Sequence, residues 1–177
     1  LAREQFQLSN FAAQLIPFVN FLMFGLLSVP VGVYQARAGK KRILMLGLAI
    51  MLVGMLIPTL RGLTTFPLFL FSILLLGAGA TTLQVAGNPI MRDVSAEGKY
   101  SRNLSLAQFV KAIGSLSGPL IPVIAARAFG AGWDVIFPVY SVAMLAAIIG
   151  LIPLRAGRGG ESGEAATFRS CLALLKN

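Results

Sequence analysis

The segment FAAQLIPFVNFLMFGLLSVPVGVY, residues 11–34, decides the class of fold, because its 24 residues carry no charged side chain. An α-helix of that length rises about 1.5 Å per residue and crosses a hydrocarbon layer of roughly 30 Å. Four further apolar runs follow it, at residues 43–60, 66–90, 104–126 and 133–154. The sequence therefore predicts an all-α fold, a polytopic membrane helix bundle with five spans.

The composition argues against most enzyme classes. Of the 177 residues, 56% are hydrophobic and 12% are charged, and the mean hydropathy is +0.81. With no histidine, one cysteine and six carboxylates, the chain lacks the groups of a usual catalytic triad or zinc site. The formal charge of +9 comes from short basic clusters between apolar runs, which does not favour a nucleic-acid partner. We expect that the protein is not an enzyme and that it binds no cofactor and no metal.

Connectors with many basic residues alternate along the chain with connectors that have few. Counting Lys and Arg outside the predicted spans puts eleven on one side of the membrane and three on the other. The richer side includes Arg37, Lys40, Lys41 and Arg42, and cytoplasmic loops carry the excess of such residues. The sequence predicts a multi-pass protein of the inner (plasma) membrane with that side in the cytoplasm.

The first span then begins outside the cell. We expect residues 1–10 to form an external loop that follows a helix upstream of this sequence. Residues 156–177 open with interspersed glycines, which predicts a flexible central cytoplasmic linker. A short amphipathic helix is predicted within it, at residues 165–176.

Polar side chains interrupt the third and fourth spans at helical spacing. Gln84 and Asn88 are four residues apart, and Gln108 and Lys111 are three apart, with Ser115 one turn further on. Such groups are costly in lipid, so these faces are predicted to contact other helices or a water-filled cavity. Lys111 lies well inside its span, which makes it a functional-site candidate. The alternatives are interhelical hydrogen bonding for the amides and snorkelling for Lys111.

Small residues occur in the same two spans. Gly77-x-Gly79 lies in the third and Gly114-x-x-x-Gly118 in the fourth, and both spacings permit close helix contact. We therefore expect the third and fourth spans to pack tightly against each other.

The connector GVYQARAGKKR, residues 32–42, resembles the loop between the second and third helices of the major facilitator superfamily. That pattern is Gly, three residues, Asp, a base, any residue, Gly and then basic residues. The matching positions, which the resemblance implies to be a gating loop, are Gly32, Arg37, Gly39, Lys40 and Lys41. Ala36 stands where the pattern has Asp, so an acid-mediated latch at that position is not expected.

The segments LQVAGNP (83–89) and RNLSLAQ (102–108) are similar to helices four and five of the L-fucose permease-like sugar transporters, which include glucose and galactose symporters. The resemblance implies a twelve-helix fold of two six-helix bundles, of which this chain supplies most of the first. It also implies sugar binding at the midplane by Gln84, Asn88, Gln108 and Lys111. In the fucose permease a carboxylate stands at the position of Gln84 and an asparagine at that of Lys111.

The function implied is secondary active transport of a monosaccharide of the fucose, glucose or galactose type, by alternating access. Its partners would be the sugar, a coupling cation (proton or sodium), membrane lipids and the remaining transporter helices, with Lys111 as the coupling candidate. A second interpretation stays open: a transporter-like receptor or lipid-interacting membrane protein, in which the polar face only holds helices together.

Overall fold

The computed structural model describes residues 2–61, 65–130 and 132–153. The helices are α1 (Ala2–Gln5), α2 (Asn10–Ala38), α3 (Lys40–Arg61), α4 (Phe66–Val94), α5 (Tyr100–Phe129) and α6 (Ile136–Leu151), with a 3-10 turn at Trp133–Val135 before α6. These ranges contain no strand, so the all-α prediction is confirmed. The linker and amphipathic helix predicted at residues 156–177 lie outside the described residues.

Five of these helices are long and apolar enough to cross a membrane, as predicted. The longest, α2, α4 and α5, have 29 or 30 residues and extend beyond the apolar runs on which the spans were predicted. The segment predicted as a loop at residues 1–10 is partly helical, because Ala2–Gln5 forms one helical turn and Asn10 begins α2. Ser9 then caps α2 by accepting a hydrogen bond from the backbone N–H of Ala12 at 3.2 Å.

Helix α4 lies between α2 and α3 and forms the centre of the fold. A Cβ placed on Gly79 would lie 2.7 Å from the carbonyl oxygen of Gly47 in α3, and one on Gly77 would lie 2.8 Å from the carbonyl oxygen of Asn20 in α2. Only glycine permits such backbone approach. The two glycines of α4 therefore serve two different neighbours.

The predicted tight packing of the third span against the fourth is wrong. Gly77 and Gly79 contact α2 and α3, and no atom of another helix lies within 4 Å of a Cβ built on Gly114 or Gly118 of α5. A small-residue spacing shows that a helix surface can be approached closely, but it carries no information on which helix approaches it.

Buried hydroxyl groups in α4 are satisfied within their own helix. Ser72, Thr81 and Thr82 are almost fully buried, and each donates a hydrogen bond to the carbonyl oxygen four residues earlier, at 2.7 to 3.1 Å. This pairing removes the cost of an unpaired hydroxyl in an apolar core. These residues are therefore part of the packing between helices.

One end of the bundle, which we call the aromatic end, is held by Phe6, Phe66, Phe69, Trp133 and Phe137. The ring of Phe69 lies 5.5 Å from that of Phe6 and 6.2 Å from that of Trp133, measured between centroids. Such pairs add to the energy of apolar burial. The cluster ties the segment before α2 to the starts of α4 and α6.

The opposite end, which we call the basic end, is held by polar contacts. Lys40 forms a salt bridge with Asp93 at the end of α4. The Nζ of Lys41 donates to the carbonyl oxygen of Ile152 after α6 at 2.9 Å. The predicted alternation of connectors is thus present in space, since the α2–α3 connector, the end of α4 and the end of α6 meet at one end.

Candidate functional site

The four side chains predicted to bind substrate lie on α4 and α5, two on each helix. Gln84 and Asn88 of α4 and Gln108 and Lys111 of α5 are all exposed. The ammonium group of Lys111 donates a hydrogen bond to Oε1 of Gln84 at 3.2 Å. The structure therefore joins two predicted residues from different helices, which their sequence separation of 27 could not establish.

The remaining two residues are available to a ligand. Within the described part of the chain, Asn88 and Gln108 make no hydrogen bond through their side chains. Each amide offers one carbonyl oxygen and one NH₂ group. Asn88 lies one turn from Gln84, and Gln108 lies one turn from Lys111, so free amides flank the Lys111–Gln84 contact on both helices. We call these four residues the polar face.

Lys111 and Gln84 lie far from the helix ends. Lys111 is roughly 16 Å along α5 from Tyr100, and Gln84 is roughly 15 Å from Val94 at the end of α4, at about 1.5 Å per residue. The hydrogen bond to Gln84 in place of an outward path also counts against snorkelling.

Helix α5 is the least buried wall of the site. Ala125 is its one buried side chain among those described, and its exposed surface includes Gln108 and Lys111. A second polar contact holds its far half, where the hydroxyl groups of Ser117 and Tyr140 of α6 lie 2.5 Å apart. The half of α5 that carries the polar face meets α4 through the Lys111–Gln84 hydrogen bond. Nearer its start, the Nδ2 of Asn103 donates to Oγ of Ser95, the residue after α4, at 3.0 Å.

The predicted gating loop is compact. Gly39 ends α2 with a φ of 90°, a conformation that side chains other than glycine rarely adopt, and this lets Lys40 begin α3 directly. Gly32 faces α4, where a Cβ built on it would lie 3.8 Å from Cγ1 of Val85. Arg37 is exposed. The prediction that residues 32–42 form a loop is therefore wrong in part: Gly32 and Arg37 lie within α2, Gly39 makes the reversal, and Lys40 and Lys41 begin α3.

Asp93 was not singled out from the sequence. It supplies the carboxylate that Lys40 contacts, from α4 rather than from the loop. Since Ala36 leaves the loop without an acid, Asp93 provides the negative charge there. Asp93 could have been found from its position, because it lies three residues past the predicted end of the third span, beside Arg92, on the side of the basic connector.

Two clefts are present elsewhere in the described residues. One of about 280 Å³ lies at the aromatic end and is lined by Pro58, Thr59, Gly132, Asp134, Val135 and Pro138. Another of about 220 Å³ is apolar and is lined by Pro30, Val31, Tyr34, Ile43, Leu46 and Thr82. Neither contains a residue of the polar face, which is an open surface instead of an enclosed cavity.

Five apolar helices of spanning length, two of which carry polar groups well inside them, define a multi-pass membrane protein. The chain belongs to the Major Facilitator Superfamily, whose family model matches residues 1–175.

Among curated proteins, the chain is similar to the glucose/galactose transporters of Brucella abortus biovar 1 (strain 9-941) and Brucella abortus (strain 2308). Each is 29% identical to it over 120 residues, which cover 67% of this chain and 29% of the relative. The chain therefore matches under a third of the length of these relatives. No solved structure gives a significant match.

Proposed function

We propose that the chain is part of a secondary active transporter that moves a monosaccharide of the fucose, glucose or galactose type across the inner (plasma) membrane. Transport is cation-coupled symport, with a proton or sodium as the coupling ion, and proceeds by alternating access. The observation that carries this proposal is the Lys111–Gln84 hydrogen bond between two spans, with the free amides of Asn88 and Gln108 beside it. Membership of the Major Facilitator Superfamily and the similarity to two glucose/galactose transporters support it.

The chemistry of the polar face suits a sugar. Sugar hydroxyls donate and accept hydrogen bonds in one small ligand, and amides match them with both kinds of group. Gln84 keeps its NH₂ group free while its oxygen accepts from Lys111. Such a site binds and releases its ligand without any covalent step. When the site is closed to water during the transport cycle, a ligand that leaves one of these polar groups unpaired binds more weakly, because an unpaired buried polar group is costly. The hydrogen bonds therefore discriminate between ligands.

Sidedness follows from the basic end. We assign that end, with Arg37, Lys40 and Lys41, to the cytoplasm because of its excess of cations. Single cysteines at Ala36 and Ala128, both exposed and at opposite ends, test this in full-length protein that lacks Cys171. An impermeant thiol reagent added outside cells should label the second and not the first. Labelling of both from outside would contradict the assignment.

The function itself is tested with the full-length protein in proteoliposomes. We expect uptake of labelled galactose, glucose or fucose that exceeds equilibrium when a proton or sodium gradient is imposed, and that collapses when an ionophore removes the gradient. A protein that binds sugar but never moves it would be a receptor. A protein that neither binds nor moves sugar would support the interpretation in which the polar face only holds helices together.

A further inference from the structure

The charge of Lys111 has no counter-charge in the described structure. Its hydrogen-bond partner is the neutral amide oxygen of Gln84, 3.2 Å away. That contact orients the ammonium group, but a neutral acceptor cannot cancel its charge. A cation at this depth costs several kcal/mol unless an anion or water compensates for it.

The four carboxylates among the described residues lie elsewhere. The two at the basic end are Asp93, which pairs with Lys40, and Glu97, in the connector that follows α4. Asp93 lies about 13 Å further along α4 than Gln84, at about 1.5 Å per residue. Glu4 is in α1 and Asp134 is in the turn before α6, both toward the aromatic end.

The other two carboxylates, Glu161 and Glu164, belong to the tail that follows the last predicted span. The helices described here therefore supply a cation at the polar face and no anion with it.

The ammonium group of Lys111 lies within reach of a sugar bound at the polar face. Lys111 is exposed on the same surface as Asn88 and Gln108, the surface on which the proposed function places the sugar. Residues one helical turn apart are separated by about 5–6 Å, comparable to the width of a sugar ring. One ligand can therefore touch the amides with its hydroxyl groups and the ammonium group with a substituent on the ring.

We propose that the substrate is an acidic monosaccharide, a sugar that carries a carboxylate, and that Lys111 is the residue that selects it. This inference rests on the proposed function and narrows it. The amides bind the hydroxyl groups, which glucose, galactose and their acids share. The ammonium group of Lys111 binds the carboxylate, and Gln84 holds the ammonium group in position. Neutral sugars leave that charge without a partner and bind more weakly.

The test uses two sugars that differ at one carbon, D-galactose and D-galacturonate, with full-length protein in proteoliposomes. For each of the two sugars, we measure the concentration of unlabelled sugar that reduces the exchange of a labelled sugar by half. We expect galacturonate to bind at least about tenfold more tightly than galactose, since hydrogen bonds to charged groups are the stronger kind. Lys111→Gln should lower the affinity for galacturonate by about 10- to 100-fold and that for galactose much less, so that the preference disappears.

Two variants serve as controls. Lys111→Arg keeps the cation and should keep the preference for the acid. Gln108→Ala removes an amide and should weaken both sugars by a similar factor. Size-exclusion profiles in detergent establish that each variant is folded.

Three results would overturn the inference. Equal or tighter binding of galactose by the unaltered protein refutes an acidic substrate and leaves the proposed sugar transport standing. A preference for galacturonate that persists in Lys111→Gln removes Lys111 from the role assigned here. Binding of neither sugar defeats the inference and the proposed function together.

Discussion

The packed contacts of α4 with α2 and α3 differ from the open surface that α4 shares with α5, although both contain polar residues of α4. On the packed side, Thr81 and Thr82 are buried and donate to carbonyl groups of their own helix. On the open side, Gln84 and Asn88 are exposed, and the amide of Asn88 is unused within the described residues. Polar residues inside a span thus serve either packing or ligand binding. The two kinds are distinguished by whether the side chain already has a hydrogen-bond partner within the protein.

The glycines make the same distinction. Gly79 lies against the backbone of α3, where no side chain fits, and Gly114 has free space around it. The first is needed for packing and the second is not, although both looked alike as sequence motifs. The predictions below test whether packing and substrate binding are as separate as this comparison indicates.

The largest effect is expected from Lys111→Gln. The substitution keeps a hydrogen-bonding side chain but removes the charge, and since Lys111 is exposed, folding should be preserved. We expect accumulation of labelled galactose, whose affinity the substitution changes little, to be abolished against a gradient, while exchange of labelled for unlabelled galactose continues. Uptake into proteoliposomes with and without an ion gradient measures both. Accumulation of galactose by this variant, with the pH dependence of the unaltered protein, would show that Lys111 is not the coupling residue.

The next largest effect is expected from Gly79→Val, which breaks the packed side. Its Cβ would fall 2.7 Å from the carbonyl oxygen of Gly47, so α3 and α4 must separate. We expect the folded bundle to lose roughly 3 kcal/mol or more of stability, at the upper end of overpacking costs. Thermal unfolding of the full-length protein in detergent measures the loss. Gly114→Val is the matched control, and a similar loss there would contradict the comparison.

A smaller effect is expected from Gln108→Ala, which removes an amide from the open side. Sugar binding should weaken by about 1 to 3 kcal/mol, because a hydroxyl group of the ligand is left unpaired. Asn103→Ala is the matched control on the same helix, since the Nδ2 of Asn103 donates to Oγ of Ser95 at 3.0 Å. Its loss should lower stability and leave sugar affinity unchanged. With normal expression, unchanged binding by Gln108→Ala would favour a purely structural role for the polar face.

The smallest effect is expected from Asp93→Asn at the basic end. The side chains of Lys40 and Asp93 are 38% and 31% exposed, so solvent screens their salt bridge. We expect its coupling energy, from a double-mutant cycle with Lys40→Met, to be about 0.2 to 1 kcal/mol. A coupling energy of several kcal/mol would show that the basic end is a principal stabilising contact and not a screened surface pair.

Much of the fold was predictable because hydrophobic length is a local property. Residues 11–34 and the four later runs are recognisable one window at a time, and each must form a helix to satisfy its backbone in lipid. Helical periodicity also predicted that Gln84 shares a face with Asn88 and that Gln108 shares one with Lys111. These relations hold within one helix and need no knowledge of its neighbours.

Relations between helices were decided only by the tertiary structure. The sequence predicted that Gly79 is a close-contact position, yet the contact is with α3 and not with α5. The sequence singled out Lys111 and Lys40 as candidate functional residues. It did not predict that Lys111 contacts Gln84 and that Lys40 contacts Asp93. Periodicity specifies which residues share a face, whereas the rotation of each helix, and hence what each face meets, depends on the packing of all helices together.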